Sequence, residues 1–109
     1  MNIVCGNDII ELHRNDAPWL NTSSLGRIYH PSELATSTDQ QRAGTFAVKE
    51  ATIKALGLKA GSWLDIEIVR QKSGKPTVRV INKQNIEIID FTISHDGEYL
   101  IATVVALLK

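Results

Sequence analysis

The spacing of apolar residues changes once along this chain, around Gly57 and Gly61, and that change limits what it can fold into. Upstream, Ala43, Phe46, Ala47, Ile53 and Leu56 recur at the interval of a helix with one buried face. The spacing predicts a helix over Asp39 to Leu56, with Gly57 as its stop. Downstream, Leu64, Ile66 and Ile68 alternate with Asp65 and Glu67, the period of a half-buried strand. Lys72-Ser73-Gly74-Lys75-Pro76 reads as a turn, and Thr77 to Ile81 alternates again. Ile86 to Ile93 and Tyr99 to Leu107 read as two more strands joined by Ser94-His95-Asp96-Gly97, whose Asp-Gly pair favours a tight hairpin. Before the helix, Ile3-Val4-Cys5 reads as a short strand ending in a polar turn. Asn15 to Gly26 reads as irregular or briefly helical, and Pro31-Ser32-Glu33 as a helix start. The expectation is one α+β domain over residues 1–109, with helices packed on one antiparallel sheet of about four to five strands.

Charge narrows the partners. Twelve basic and twelve acidic side chains cancel, and residues 1–60 and 61–109 are each balanced. A general nucleic-acid binder rests on a surplus of Lys and Arg that this chain lacks. Locally the balance breaks. Residues 42–59 carry Arg42, Lys49, Lys54 and Lys59 against Glu50 alone, and residues 70–83 carry five cations and no acid. Such stretches are either solvated faces or a seat for a compact polyanion. Gly74-Lys75 lacks the upstream glycine and following Ser/Thr of a nucleotide-hydrolase phosphate loop. The single Cys5 points to a reducing compartment, and the N-terminus has neither the basic start nor the apolar run of a signal peptide. The apolar stretch from Leu100 to Leu108 is far short of the roughly 20 residues a membrane helix needs. A cytoplasmic protein with no membrane partner is expected.

Polar residues where the pattern wants apolar ones are the candidates for chemistry. Glu50 shares a helix face with Phe46 and Ile53, so its carboxylate stands at the core boundary; the plain alternative is a surface ion pair with Lys54, one turn on. Asp8, after Gly6-Asn7, is either a helix N-cap or a ligand for a hard cation. Mg²⁺ needs only one or two carboxylates when substrate phosphates and waters complete its shell, so Asp8 and Glu50 suffice for one. His95 either makes a hairpin hydrogen bond or faces a ligand, and Ser94-His95-Asp96 is no hydrolytic triad, since sequence neighbours rarely point at one another. His13 and His30 read as surface residues.

These residues fall in stretches that resemble a family. Gly6-Asn7-Asp8-Ile9-Ile10-Glu11-Leu12-His13-Arg14, Arg27 to Leu34, Ala43 to Gly57 with Phe46-Ala47-Val48-Lys49-Glu50-Ala51 inside it, Gly74-Lys75-Pro76, and Thr92-Ile93-Ser94-His95 follow one another as in the small holo-acyl-carrier-protein synthases, the short 4′-phosphopantetheinyl transferases. The resemblance implies transfer of the phosphopantetheine arm of coenzyme A to a serine of an apo acyl carrier protein, releasing adenosine 3′,5′-bisphosphate. It implies Mg²⁺ held by Asp8 and Glu50, catalytic roles for Asp8, Glu50, Lys54 and His95, coenzyme A contacts from Lys49, Lys54, Lys75 and His95, and carrier-protein contact from Arg14. It also implies a homotrimer with active sites between protomers, where the Gly74–Pro76 turn reaches the neighbour's nucleotide. Fatty acid biosynthesis is the expected setting, with polyketide and peptide carriers left open. One position departs from the family: Thr45 stands where an arginine is usual, and Arg42 lies one turn earlier to replace it. The other reading is a non-catalytic coenzyme A or carrier-protein binding module descended from such an enzyme.

Overall fold

The computed structural model describes residues 1–35, 37–83 and 85–109. Its long helix, α3, spans Asp39–Leu56 as the spacing predicts. Thr38 begins it, accepting the N–H of Gln41 while the Gln41 side chain accepts the N–H of Thr38, and Asp39 complements the positive helix end. Gly57 ends it at φ 64°, a left-handed conformation that returns its N–H to the carbonyl of Ile53. Most of its residues from Ala43 to Leu56 are buried, because it is covered on more than one side.

One cover is a sheet of three antiparallel strands in the order β1 (Asn2–Glu11), β5 (Tyr99–Leu108), β4 (Ile86–Asp96). On its inner face Ile10, Leu100, Ala102 and Val104 pack with Phe46, Ala47 and Ala51 of α3. Two glycines let helix and sheet close up. A Cβ on Gly6 of β1 would stand 2.3 Å from the carbonyl oxygen of Ala51 and 2.7 Å from the nitrogen of Ala55. A Cβ on Gly44 of α3 would meet Ile93 at 3.3 Å. The N-terminal half of α3 therefore lies over β4 and β5, and its C-terminal half over β1.

Three short helical pieces cover the opposite side: a 3-10 turn at Pro18–Leu20, α1 at Leu25–Ile28 and α2 at Pro31–Leu34. Trp19 is fully buried, packs its ring tilted against Phe46 at 5.5 Å and donates to the carbonyl of Leu12. A second 3-10 turn, Trp63–Asp65, leads into the hairpin of β2 (Ile66–Arg70) and β3 (Pro76–Val80). The five expected strands are present but divide into this two-stranded sheet and the three-stranded one. The chain turns out of the hairpin at Asn82, which has φ 63°, and β4 then takes β5 rather than β3 as its partner.

Two local expectations change. β1 runs unbroken through Gly6, so Asp8 caps no helix; it lies in mid-strand opposite Ala102. β4 runs on through Asp96, so His95 is a strand residue opposite Leu100, and the turn shrinks to Gly97-Glu98. The outer face of the three-stranded sheet carries Ile3, Ile9, Ile88, Tyr99, Ile101 and Val105, all exposed. Among the described residues no helix is long and apolar enough to cross a membrane.

Candidate active site

Strand alternation sends Val4, Gly6, Asp8 and Ile10 toward α3. Because Gly6 lets the two backbones meet, Asp8 arrives beside the last turn of the helix. There the Lys54 ammonium donates to the Asp8 carboxylate at 3.1 Å and to the carbonyl of Asn7 at 3.0 Å. Asp8 is mostly covered, its side chain 16% exposed, while Lys54 is 55% exposed and reaches in from solvent. Glu50 stands one turn before Lys54 on the same helix but does not pair with it. Its carboxylate instead accepts the indole N–H of Trp63 at 3.4 Å. The surface-pair reading of Glu50 and Lys54 is thereby corrected: the better partner for Lys54 comes from β1. Trp63, whose ring packs 6.2 Å from Phe46, was missed by sequence reasoning; an aromatic just past Gly61 is its only signal.

The donor set suits a hard cation. It offers two carboxylates from facing elements, with all-oxygen ligands. Among the described residues no group of three or more His, Cys, Asp or Glu could hold a metal alone. A site of this kind fits Mg²⁺, which keeps waters and takes its remaining oxygens from substrate phosphates.

The other candidates lie elsewhere. His95, on the inner sheet face, lines a cavity of about 180 Å³ with Gln40, Gln41, Gly44 and Thr45. Gln41 and Thr45 also line a second cavity of about 360 Å³ that extends to Glu67 and Arg70. Gly44 and Lys54 are ten residues apart on α3, roughly 15 Å along the helix at 1.5 Å per residue. His95 thus lines a cavity beside the N-terminal half of α3, whereas Asp8 meets Lys54 in the last turn of that helix. Lys75, in the β2–β3 turn, is exposed and pairs with Asp90 of β4 at 3.6 Å. Arg14 lies over the ring of Trp19 at 5.2 Å and pairs with Asp16. Arg42 does not replace the cation missing at Thr45, since its guanidinium turns to Ser37 and the carbonyl of Leu34. His13 is exposed, but His30 is half-buried at the start of α2.

Lys49 requires a correction. Its side chain is wholly buried, and the ammonium donates to Glu33 at 2.7 Å and to the carbonyl of Ile28 at 2.6 Å. Burial pushes it below the ordinary lysine range, with Glu33 opposing that shift. An ammonium closed inside the core cannot also bind coenzyme A at the surface.

Comparison with known proteins decides the family. The family model described as the 4′-phosphopantetheinyl transferase superfamily matches residues 4–104. The chain belongs to that superfamily. Within it, the similarity is to holo-[acyl-carrier-protein] synthases, the enzymes that move phosphopantetheine to an apo carrier protein. The synthase of Nautilia profundicola is 43% identical over 110 residues, covering 94% of this chain and 97% of that protein. The synthase of Dehalococcoides mccartyi is 38% identical, covering 93% and 95%. Among solved structures, the Helicobacter pylori synthase in complex with coenzyme A superposes with a TM-score of 0.79 at 31% identity, covering 94% of this chain and 99% of that one. The Bacillus anthracis synthase, in complex with CoA (3′,5′-ADP), gives 0.75 at 32%, with 94% of each covered.

Proposed function

We propose that this chain carries out the family's reaction with Asp8, Glu50 and Lys54 as its reacting centre and coenzyme A and an apo acyl carrier protein as substrates. The observation that carries this reading is the Asp8–Lys54 pair, built across the Gly6 contact one helical turn from Glu50. Coenzyme A presents a pyrophosphate. Moving its phosphopantetheine half to a serine hydroxyl leaves an anionic bisphosphate, so the site must neutralise charge that grows on the leaving oxygen. Asp8 and Glu50 would hold Mg²⁺, which supplies Lewis-acid charge neutralisation when bound. Lys54 is the mobile cation. Its half-exposed ammonium can turn from Asp8 to a phosphate oxygen at the distance of a charge-assisted hydrogen bond. Trp63 fixes the rotamer of Glu50. Asp8, in its covered position, orients the incoming hydroxyl and takes up its proton.

His95 belongs to the same site through a neighbouring protomer. Two observations support a homotrimer with shared sites. His95 lines a cavity with Gln40, Gln41 and Gly44 of α3 while Asp8 meets Lys54 in its last turn, and the outer sheet face leaves Ile3 72% and Ile9 65% exposed, alongside Ile88 and Ile101. An apolar face of that kind marks an interface with another protein. Lys75, at the tip of the β2–β3 hairpin, reaches the nucleotide bound at the neighbour. Arg14, held over Trp19, presents a cation to the acidic carrier protein. The cytoplasm, where such carriers and coenzyme A meet, is the proposed location, and fatty acid biosynthesis the proposed pathway. The test is to incubate the protein with coenzyme A, Mg²⁺ and apo carrier protein and to weigh the carrier. Gain of one phosphopantetheine mass is expected, and no gain with any of a panel of carriers would refute the assignment.

A further inference from the structure

We propose that Glu33 is a positioning residue that locks the β2–β3 hairpin onto α3 and so sets where the Gly74–Pro76 turn stands. The inference rests on the reading above only in giving Lys75 a nucleotide contact. Glu33 lies on α2, and its side chain is 2% exposed. One carboxylate oxygen accepts the N–H of His30 and the ammonium of Lys49; the other accepts the N–H of Ile68, the central residue of β2, at 2.8 Å. Three elements thus meet on a single carboxylate: α2 through His30, α3 through Lys49 and the hairpin through Ile68. Ile66 and Val78 seat the apolar side of the hairpin in the core, and Glu33 supplies its buried polar tie. Among the described residues the hairpin shares no ladder with the three-stranded sheet, and its other polar links to the rest of the protein, Ser32 to Glu67 and Lys75 to Asp90, are exposed to solvent. Exposed links are weak, whereas a buried charge-assisted hydrogen bond is strong and its loss leaves a donor unsatisfied.

The experiment has two readouts. In Glu33→Gln, exchange of the amides of Val69 and Arg79, which bond across the β2–β3 ladder, should quicken about tenfold, as loss of one charge-assisted bond allows, while Ala102 and Val104 keep their protection. Equal rates in hairpin and central sheet would overturn the proposal. Should Glu33→Gln fail to fold, the paired replacement Glu33→Leu with Lys49→Met removes both buried charges and the acceptor of Ile68, and the same comparison is read there. The second readout is a cycle of Glu33→Gln, Lys75→Ala and both together, scored by KM for coenzyme A. Each single change should raise KM severalfold with kcat little altered, and the double variant should be no worse than the poorer single one. Additive effects would overturn the link, since a loss of general stability does not act through Lys75. If Lys75→Ala leaves KM unchanged while hairpin exchange still quickens, the nucleotide role of Lys75 fails and the lock stands.

Discussion

The ammonium of Lys54 turns to Asp8 at 3.1 Å, across from β1, and leaves Glu50, its neighbour one turn back on α3, to the indole of Trp63. Helix spacing alone favours the Glu50–Lys54 pair, but a pair on one exposed helix face contributes only about 0.3–0.5 kcal/mol. A strand carboxylate brought up by a close backbone contact outbids it, because Asp8 is already mostly removed from water and needs a partner.

Replacing Lys54 tests the division of labour. Lys54→Met should still fold, though less stably because the covered Asp8 loses its partner, and should slow phosphopantetheine transfer by the folded protein about 100-fold or more through loss of a cation at the transferring phosphate. Rates of carrier mass gain at saturating coenzyme A measure this. A variant as fast as the parent would remove Lys54 from the chemistry.

The close contact at Gly6 makes a second prediction. A methyl group there cannot fit 2.3 Å from the Ala51 carbonyl without moving β1 off the helix. Gly6→Ala should therefore lower stability by about 1–3 kcal/mol, the range for overpacked cores, and should also weaken turnover because Asp8 moves with the strand. Urea denaturation gives the first value, and turnover of the folded fraction gives the second.

Much of this was legible in the sequence, and the misses share a cause. The limits of α3 could be read because its cap, its apolar spacing and its stop at Gly57 are all local. Asp8 and Glu50 stood out as acids in apolar surroundings. Lys49 did not disclose its burial, because the Glu33 that receives it is 16 residues away, on a helix of only four residues. Gly6 looked like a turn and is instead a point of close approach inside a strand. The division of five strands into two sheets depends on which edge β4 finds after the chain turns at Asn82, and alternation is blind to pairing partners.

Tyr29 predicts the alkaline limit. Its hydroxyl donates to the carbonyl of Arg42 at 2.6 Å, and burial raises its pKa well above the ordinary value of 10, with Glu33 adding to the shift. Above pH 10 the unfolded chain loses this proton while the folded one keeps it. The stabilisation present below pH 10 therefore falls as pH rises beyond it. Tyr29→Phe should flatten that fall, at the cost of about 1 kcal/mol at neutral pH for the lost hydrogen bond. Denaturation midpoints of both proteins measured from pH 8 upward check the sign.

The shared site makes the most discriminating prediction. If His95 of one protomer works with Asp8 and Glu50 of the next, then Glu50→Gln and His95→Ala are each inactive alone but complement when mixed and allowed to exchange subunits. In random trimers of equal amounts about a quarter of the sites take both intact residues, so activity near a quarter of the parent should return. Ile9→Lys, on the outer sheet face, should prevent assembly and abolish that recovery while the monomer stays folded, since Ile9 is 65% exposed in the isolated chain. Sedimentation read beside the activity separates the outcomes. A mixture that stays inactive although its subunits have exchanged would mean that each chain builds its site alone, and the roughly 15 Å between Gly44 and Lys54 along α3 would then have to be bridged by the substrate.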